Sequence, residues 1–144
     1  MGLFSKSKKP DIEKMKKNQD VEGLIRAIED DDIDVRNSAI KALDRMNDNP
    51  RVVAALIAAL NDGNWLVRAS ASAILGGSHD PRAVEALIPT LKDKDEAVRY
   101  AAVRALKTAA KAIPGGDPRI EQAVSAAVLA ETDPNVKQEM LLLQ

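Results

Sequence analysis

The sequence contains no cysteine and very few aromatic residues. Its 144 residues include one Phe, one Tyr and one Trp. Without cysteine the chain forms no disulfide, no thiolate metal site and no cysteine nucleophile, and we expect a reducing, cytoplasmic location. With so few rings, the core has to be built from Leu, Ile, Val and Ala, a mixture that suits closely packed helices. Since 45% of the residues are apolar, the chain has enough material for a folded core.

Long apolar runs are missing as well. No stretch approaches the roughly 20 apolar residues that a membrane-spanning helix requires. The N-terminal segment lacks the apolar region of a secretion signal, and Lys6 stands where a myristoylation motif needs Ser or Thr. We therefore expect no membrane span and no lipid anchor.

The net charge of -1 is unevenly distributed along the chain. Residues 1–17, the basic arm, carry six lysines against two acids, whereas residues 18–48 carry nine acids against four bases. We expect the two segments to attract each other, and the arm to be partly flexible or a short helix. A nearly neutral chain lacks the excess cations that bind phosphates, so nucleic-acid binding is a weak alternative function. The arm lysines are Lys6, Lys8, Lys9, Lys14, Lys16 and Lys17.

A repeat organises the rest of the chain. Three segments align directly: LIRAIEDDDIDVRNSAIKAL (24–43), LIAALNDGNWLVRASASAIL (56–75) and LIPTLKDKDEAVRYAAVRAL (87–106). Each contains two apolar stripes with the i, i+3, i+4, i+7 spacing of an amphipathic helix, so each unit is predicted to be a helical hairpin. The predicted units span residues 18–48, 49–79, 80–116 and 117–144.

Helix starts and stops are marked in every unit. Asn-Pro-Arg or Asp-Pro-Arg begins the first helix of units 2 to 4, because the Asn or Asp caps free N–H groups and Pro suits the first turn. Pro114 predicts the end of a lengthened second helix in unit 3. Unit 4 stops soon after three leucines at 141–143, and such an end requires a cap, a partner or a second copy. The predicted second-helix caps are Asp32, Asn64, Asp95 and Asp133.

The segment DPRAVEALIPTLKDKDEAVRYAAVRAL (80–106) resembles the HEAT-like repeat of phycobilin lyase subunits and of small bacterial and archaeal HEAT proteins. The resemblance covers residues 18–144. It implies an all-α, right-handed superhelix of about four hairpins, whose second helices line the concave side, and a function in binding protein partners. Because unrelated activities use this scaffold, the resemblance is specific for fold and not for function.

Two kinds of enzymatic relative can be weighed on the residues. Deoxyhypusine hydroxylase is also HEAT-like but holds iron with several His-Glu pairs, whereas this chain has one histidine, His79, followed by Asp80. Nothing distinctive of a bilin site is present, so an accessory role in a lyase complex is a minor alternative. The acidic run at residues 29–34 lacks the spacing of a calcium loop and is interpreted as a solvated, capped turn. We expect no cofactor, no metal and no enzymatic activity.

Two charged columns run through the repeats. A basic residue directly follows the recurring Val of each second helix, and an acid lies six residues before that basic residue. A line of cations suits an anionic ligand, but paired columns more often bond across turns and between repeats, so a structural role is the stronger interpretation. The basic column is Arg36, Arg68, Arg99 and Lys137, and the acidic column is Asp30, Asp62, Asp93 and Glu131.

The second helices also supply a candidate binding surface. Positions two, six and nine residues after each Val point away from the apolar stripe, with Ala69, Ala73 and Gly76 as a small-residue floor in unit 2. Tyr and Arg are enriched in interface hot spots, although an ordinary solvated face has the same pattern. Trp65, in the turn of unit 2, is either an exposed anchor or packs over the Ile33 turn. The candidate partner-binding residues are Asn37, Lys41, Trp65, Tyr100, Arg104 and Lys107.

Overall fold

The computed structural model describes residues 8–143, so the prediction for the start of the basic arm, including Lys6, lies outside the described residues. Within this range the chain forms nine α-helices and no strand, which confirms the predicted all-α class. The helices are α1 (Ile12–Lys17), α2 (Val21–Ala27), α3 (Ile33–Ala42), α4 (Pro50–Ala59), α5 (Trp65–Leu75), α6 (Pro81–Thr90), α7 (Glu96–Ala112), α8 (Pro118–Ala130) and α9 (Pro134–Leu141). A short 3-10 helix at Asp44–Met46 joins α3 to α4.

The predicted caps define where the helices begin. In α4, α6 and α8, the first helical residue is Pro, and the side chain of Asn49, Asp80 or Asp117 accepts a hydrogen bond from the backbone N–H of the Arg two residues on. Asp32, Asn64, Asp95 and Asp133 cap α3, α5, α7 and α9 in the same way. These side chains satisfy N–H groups that a helix start otherwise leaves free.

The helices pair into hairpins that stack along one direction. Second helices contact second helices (α3 with α5, α5 with α7, α7 with α9), and first helices contact first helices (α4 with α6, α6 with α8). Between the two layers runs one continuous aliphatic core, as the composition predicts. Each of the first three hairpins contributes one fully buried leucine from each layer. These are Leu24, Leu56 and Leu87 from the first helices, and Leu43, Leu75 and Leu106 from the second-helix layer.

The two ends of the stack differ. At the N-terminal end, α1 packs against α2 and α3, and Ile12 and Met15 are half-buried on the core. The Nζ of Lys9 lies 2.6 Å from a carboxylate oxygen of Asp32, so the arm and the acidic first unit do attract each other. At the C-terminal end, α9 has 8 residues whereas α7 has 17, so the last second helix is short.

Gly76, at the end of α5, lies close against α7, and its burial differs from the expectation. The sequence pattern places it on an open floor, but the structure buries it. A Cβ built on Gly76 would lie 2.6 Å from the Cα of Ala105 on α7. The absence of a side chain therefore lets the end of α5 contact the backbone of the next second helix.

This close approach predicts a specific packing defect. Gly76→Ala is expected to lower the free energy of unfolding by about 1–3 kcal/mol, because the added methyl group has to displace the backbone of α7. Gly63→Ala is the matched control, since a Cβ at Gly63 meets no atom within 4 Å. Urea unfolding followed by circular dichroism measures both variants, and equal stability losses would contradict this account.

Candidate functional site

The basic and acidic columns bond to each other between consecutive repeats. The Nε of Arg36 donates to Asp62 at 2.9 Å and its Nη2 donates to the other carboxylate oxygen at 3.2 Å. The remaining Nη1 donates to the backbone carbonyl of Asp30, in the turn of its own repeat. The guanidinium group therefore joins the turns of two neighbouring hairpins, and its two parallel bonds fix the orientation of the carboxylate.

The same bonds recur at the next two junctions. Arg68 binds Asp93 at 2.9 and 3.1 Å, and Arg99 binds Glu131 at 2.8 and 3.0 Å. Each arginine also donates to the carbonyl of the acid in its own turn. We call Arg36, Arg68, Arg99 and their three carboxylate partners the arginine ladder. All three guanidinium groups are occupied within the chain, which supports the structural interpretation of these columns.

Each ladder acid also shapes the turn that contains it. One oxygen of Asp62, Asp93 and Glu131 accepts the backbone N–H two residues later, at 2.9, 2.9 and 2.8 Å. That later residue is the cap of the next second helix. The ladder therefore positions the beginning of each second helix relative to the repeat before it.

Burial and hydrogen bonding act in opposite directions on these carboxylates. The Glu131 side chain is 1% exposed. Burial raises the pKa of Glu131, but the bonds from Arg99 and from the backbone N–H groups of Asp133 and Thr132 outweigh it and lower the pKa below its ordinary value. Burial likewise raises the pKa of Asp93, and the bonds from Arg68 and from the backbone of Asp95 bring it below the ordinary value.

Lys137 occupies the fourth basic position but takes no part in the ladder. It is exposed, and no ion pair joins it to any of residues 8–143. Within the described residues, the fourth basic position is therefore an exposed cation without a carboxylate partner.

Tyr100 and Arg104 lie together on α7 and are bonded to α9. The Tyr100 hydroxyl donates to Glu139 Oε1 at 3.3 Å, and Arg104 Nη1 donates to the Tyr100 hydroxyl at 3.3 Å. The guanidinium carbon of Arg104 lies 5.8 Å from the centre of the Tyr100 ring, within cation–π distance. Tyr100 is half-buried and Arg104 is exposed, so the pair presents an aromatic edge and a fixed cation to solvent.

The other candidate residues are distributed along the second helices. Asn37 is half-buried and accepts a hydrogen bond from the Ser70 hydroxyl at 2.7 Å, so it joins α3 to α5. Lys41 is exposed beside a shallow hollow of about 300 Å³ that Ser70 and Ala73 also line. Lys107 is half-buried on α7. Asn37 and Tyr100 are therefore partly engaged in packing between repeats, whereas Lys41 faces solvent.

An open groove of about 630 Å³ lies beside Tyr100, between α7 and α9. Its walls combine carboxylates with apolar and amide side chains, so it can accept both polar and apolar groups of a bound chain. The lining residues are Glu96, Ala97, Tyr100, Asp133, Asn135, Val136, Gln138, Glu139 and Leu142.

Sequence reasoning missed Glu139 and this groove. The signal that could have found them is a recurring hydrogen bond between fixed positions of neighbouring repeats. The residue two positions after Val in one repeat bonds the residue three positions after Val in the next, as Asn37 bonds Ser70 and Tyr100 bonds Glu139.

Trp65 lies apart from the groove and from the hollow beside Lys41. Its side chain is 46% exposed, and Leu66 next to it is 38% exposed. The two form an apolar step at the start of α5. Trp65 is thus open to solvent, as an anchor for a partner requires.

Residues 8–143 contain no group of three or more His, Cys, Asp or Glu side chains placed to hold a metal ion. Among the helices described here, none has the length and apolar character needed to cross a membrane. His79 pairs with Asp48 through its Nδ1 at 2.9 Å, on an exposed loop.

Breaking the last rung of the arginine ladder is expected to be costly. Arg99→Met leaves the buried Glu131 carboxylate without its partner and should lower the free energy of unfolding by about 3–5 kcal/mol. Arg51→Met is the matched control, because Arg51 pairs with Glu22 at the surface and its side chain is 68% exposed. The control should lose less than about 1 kcal/mol. If chemical denaturation shows similar losses of unfolding free energy for both variants, the ladder stabilises the fold no more than a surface ion pair does.

The lowered carboxylate pKa values predict acid sensitivity. A pKa that is lower in the folded than in the unfolded state stabilises the fold above the unfolded value, and this contribution disappears as pH falls through the folded value. The unfolding free energy should therefore decrease below about pH 5. Glu131→Gln lacks one such group and should show a smaller decrease between about pH 6 and pH 3. An unchanged pH slope in urea titrations would contradict the role given to Glu131.

Comparisons with known proteins agree with this architecture. The family model described as HEAT repeats matches residues 12–71 and 53–142. A chain from the complex of CpcE and CpcF of phycocyanin lyase from Nostoc sp. PCC7120 is similar, with a TM-score of 0.78 and 25% identity over 92% of this chain and 86% of that chain. A designed armadillo repeat protein in complex with the peptide (KR)4 has a TM-score of 0.64 and 17% identity, over 92% of this chain and 66% of that chain.

No curated protein sequence matches the chain significantly. The family match nevertheless extends from α1 to the end of α9. It confirms the resemblance that the aligned repeat segments carry, and the chain belongs to the HEAT repeat family.

Proposed function

We propose that this protein is a non-enzymatic adaptor that holds a protein partner on its second-helix face. We define this face by Asn37, Lys41, Tyr100, Arg104 and Lys107, with Trp65 at its edge. The observation that carries the proposal is the groove beside Tyr100, where an oriented aromatic ring and a cation adjoin an open volume of about 630 Å³. Tyr and Arg in such settings contribute most of the binding energy in many protein interfaces.

Rigidity of the face also favours binding. The arginine ladder fixes the starts of α5, α7 and α9, and the Asn37–Ser70 and Tyr100–Glu139 bonds join adjacent second helices. A partner that binds a preformed surface loses less conformational entropy on that surface, so more of the contact energy appears as affinity. The two solved relatives support binding of a protein or peptide, since one is a chain of the complex of CpcE and CpcF and the other is described in complex with (KR)4.

The test is affinity capture from the native source, followed by calorimetry with the recovered partner. Tyr100→Ala combined with Arg104→Ala should weaken the partner about tenfold or more, because both side chains line or flank the groove. The matched control combines Arg26→Ala with Glu85→Ala, two exposed residues of first helices. Unchanged affinity of the Tyr100/Arg104 variant would show that the partner uses another surface.

A second candidate function is an accessory role in a bilin-lyase-like enzyme complex. The observation in its favour is the likeness to the phycocyanin lyase chain over 92% of this chain. Titration of the protein with a linear tetrapyrrole distinguishes this role, because binding of the chromophore changes its absorption spectrum. A spectrum that stays unchanged at equimolar protein would remove this candidate.

Two further expectations concern the remaining surfaces and the place of action. Nucleic-acid binding through the basic arm is the weaker alternative, since Lys9 is already paired with Asp32. A second copy of the chain is a further expected partner, through the C-terminal repeat. We place the protein in the cytoplasm, in keeping with its lack of cysteine.

A further inference from the structure

We propose that the exposed end of the fourth repeat binds the same end of a second copy of this chain. In this dimer, Lys137 of each copy meets Glu121 of the other, with Leu141 between them. We call Glu121, Lys137, Leu141 and the flanking Leu129 the C-terminal face. The proposal is independent of the second-helix face, because it concerns the end of the stack and not its side.

The first observation is that Leu141 is exposed at a position that is buried in the other repeats. It lies five residues after the Val of its second helix, and the residues at this position in the first three repeats are all fully buried. These residues are Ile40, Ser72 and Val103, each 0% exposed. Leu141 is 50% exposed. The difference arises because a following second helix packs over α3, α5 and α7, whereas nothing in residues 8–143 packs over the outer side of α9.

The second observation is that Lys137 has no ion-pair partner among the described residues. In each earlier repeat, the basic residue at this position donates to a carboxylate of the next hairpin, as Arg99 does to Glu131. Lys137 is exposed and has no ion-pair partner within the described part of the chain. The C-terminal face therefore presents a free cation at the place where every internal junction holds an ion pair.

Glu121 provides the matching charge. In the first helices, an aliphatic stripe faces the next first helix, and Ile25 and Ile28 of α2 line one hollow with Ala55 and Ala58 of α4. The stripe begins four residues after the helix cap, with Val53 in α4 and Val84 in α6, both buried. In α8 this position is Glu121, which is exposed and forms no ion pair with the described residues. The stripe is thus polar at this position of α8, which no other hairpin among residues 8–143 covers.

The topology of the last hairpin makes this face complementary to itself. Glu121 lies in the first turn of α8, and Leu143, just beyond the end of α9, lines the same small cavity. Lys137 lies in the first turn of α9, which runs antiparallel to α8, so the two charges occupy opposite ends of the hairpin. A two-fold axis that lies in the plane of this face exchanges the two positions. Lys137 of each copy then lies opposite Glu121 of the other, so the contact forms twice.

The opposite end of the chain disfavours a head-to-tail alternative. Asp30 lacks an arginine from a preceding repeat, and in this respect it matches Lys137. That end, however, is covered by α1, and Lys9 is bound to Asp32 beside it. A second copy reaches Asp30 only by displacing α1, whereas the C-terminal face is open in the chain as it stands.

The size of the face limits the affinity. α8 is roughly 20 Å long, and α8 and α9 side by side are roughly 20 Å wide, so each copy offers a contact area of roughly 400 Å². Stable complexes bury about 800 Å² on each partner, so the dimer should be weak, with a dissociation constant of about 0.1–1 mM. Two exposed leucines per copy, Leu129 at 88% and Leu141 at 50% exposure, supply the apolar part of the contact.

Sedimentation equilibrium of the full chain at low salt, from about 20 µM to 2 mM, tests the proposal. The wild type should dimerise reversibly. Lys137→Glu and Glu121→Lys should each weaken the dimer about tenfold, because each change places like charges opposite one another. The double variant, which exchanges the two charges, should restore the wild-type dissociation constant within about threefold. Lys16→Glu on α1 is the matched control and should leave association unchanged.

Three kinds of result would overturn the proposal. The first is a wild-type chain that stays monomeric up to about 2 mM. The second is a charge exchange that fails to restore association, or a folded Leu141→Asp variant that dimerises like the wild type. Leu141 is half-exposed, so this variant should keep its fold, which circular dichroism verifies. The third is association that Asp30→Lys weakens while Glu121→Lys does not, since this result indicates a head-to-tail contact.

Discussion

The arginine–carboxylate bond between consecutive repeats is the constraint on which the other features depend. Each of Arg36, Arg68 and Arg99 reaches across a junction and binds both oxygens of an acid in the next turn. The same acid then holds the backbone that begins the next second helix. One side chain thereby sets the spacing of two hairpins and the starting point of a helix. Hydrophobic stacking alone is non-directional and specifies neither quantity.

Close packing completes what the ladder begins. The ladder acts at the N-terminal ends of the second helices, whereas Gly76 permits contact with the backbone of α7 at the other end of α5. Two constraints at opposite ends of a helix pair leave little freedom for rotation about the contact. The second-helix face is therefore a rigid surface, and the Tyr100–Arg104–Glu139 group is oriented before any partner arrives. Such preorganisation is what an adaptor surface requires.

Much of this fold is visible in the sequence because repetition makes local signals reinforce one another. The Asp-Pro-Arg starts, the turn caps and the aliphatic stripes each recur, so the helix boundaries and the hairpin order follow from pattern alone. The contacts across repeats were harder to predict. The burial of Gly76 depends on how closely α5 approaches α7, and helical periodicity assigns a residue to a face without giving that distance. The bond from Tyr100 to Glu139 joins residues 39 positions apart, and it arises from stacking.

The exposure of Trp65 shows a related limit. The residues at the same position in the other repeats are Ile33, Glu96 and Pro134, which differ in every relevant property. When equivalent positions hold such different side chains, the sequence does not predict whether the position is buried. Only the packed turn shows that the ring is about half open to solvent. Columns of constant character, such as the ladder acids, carry far more information.

The identity of the fourth basic residue has a consequence for the contact that forms beyond it. Arginine offers a planar fork that fixes a carboxylate in one orientation, whereas lysine is a compact charge on a flexible stem. With Lys137 at the fourth position, a further hairpin of the same kind would attach here by attraction without being held in register. The basic column thus changes from a directional to a non-directional charge at the fourth repeat. A contact formed at Lys137 is suited to reversible binding, whereas the ion pairs of the arginine ladder are suited to permanent packing.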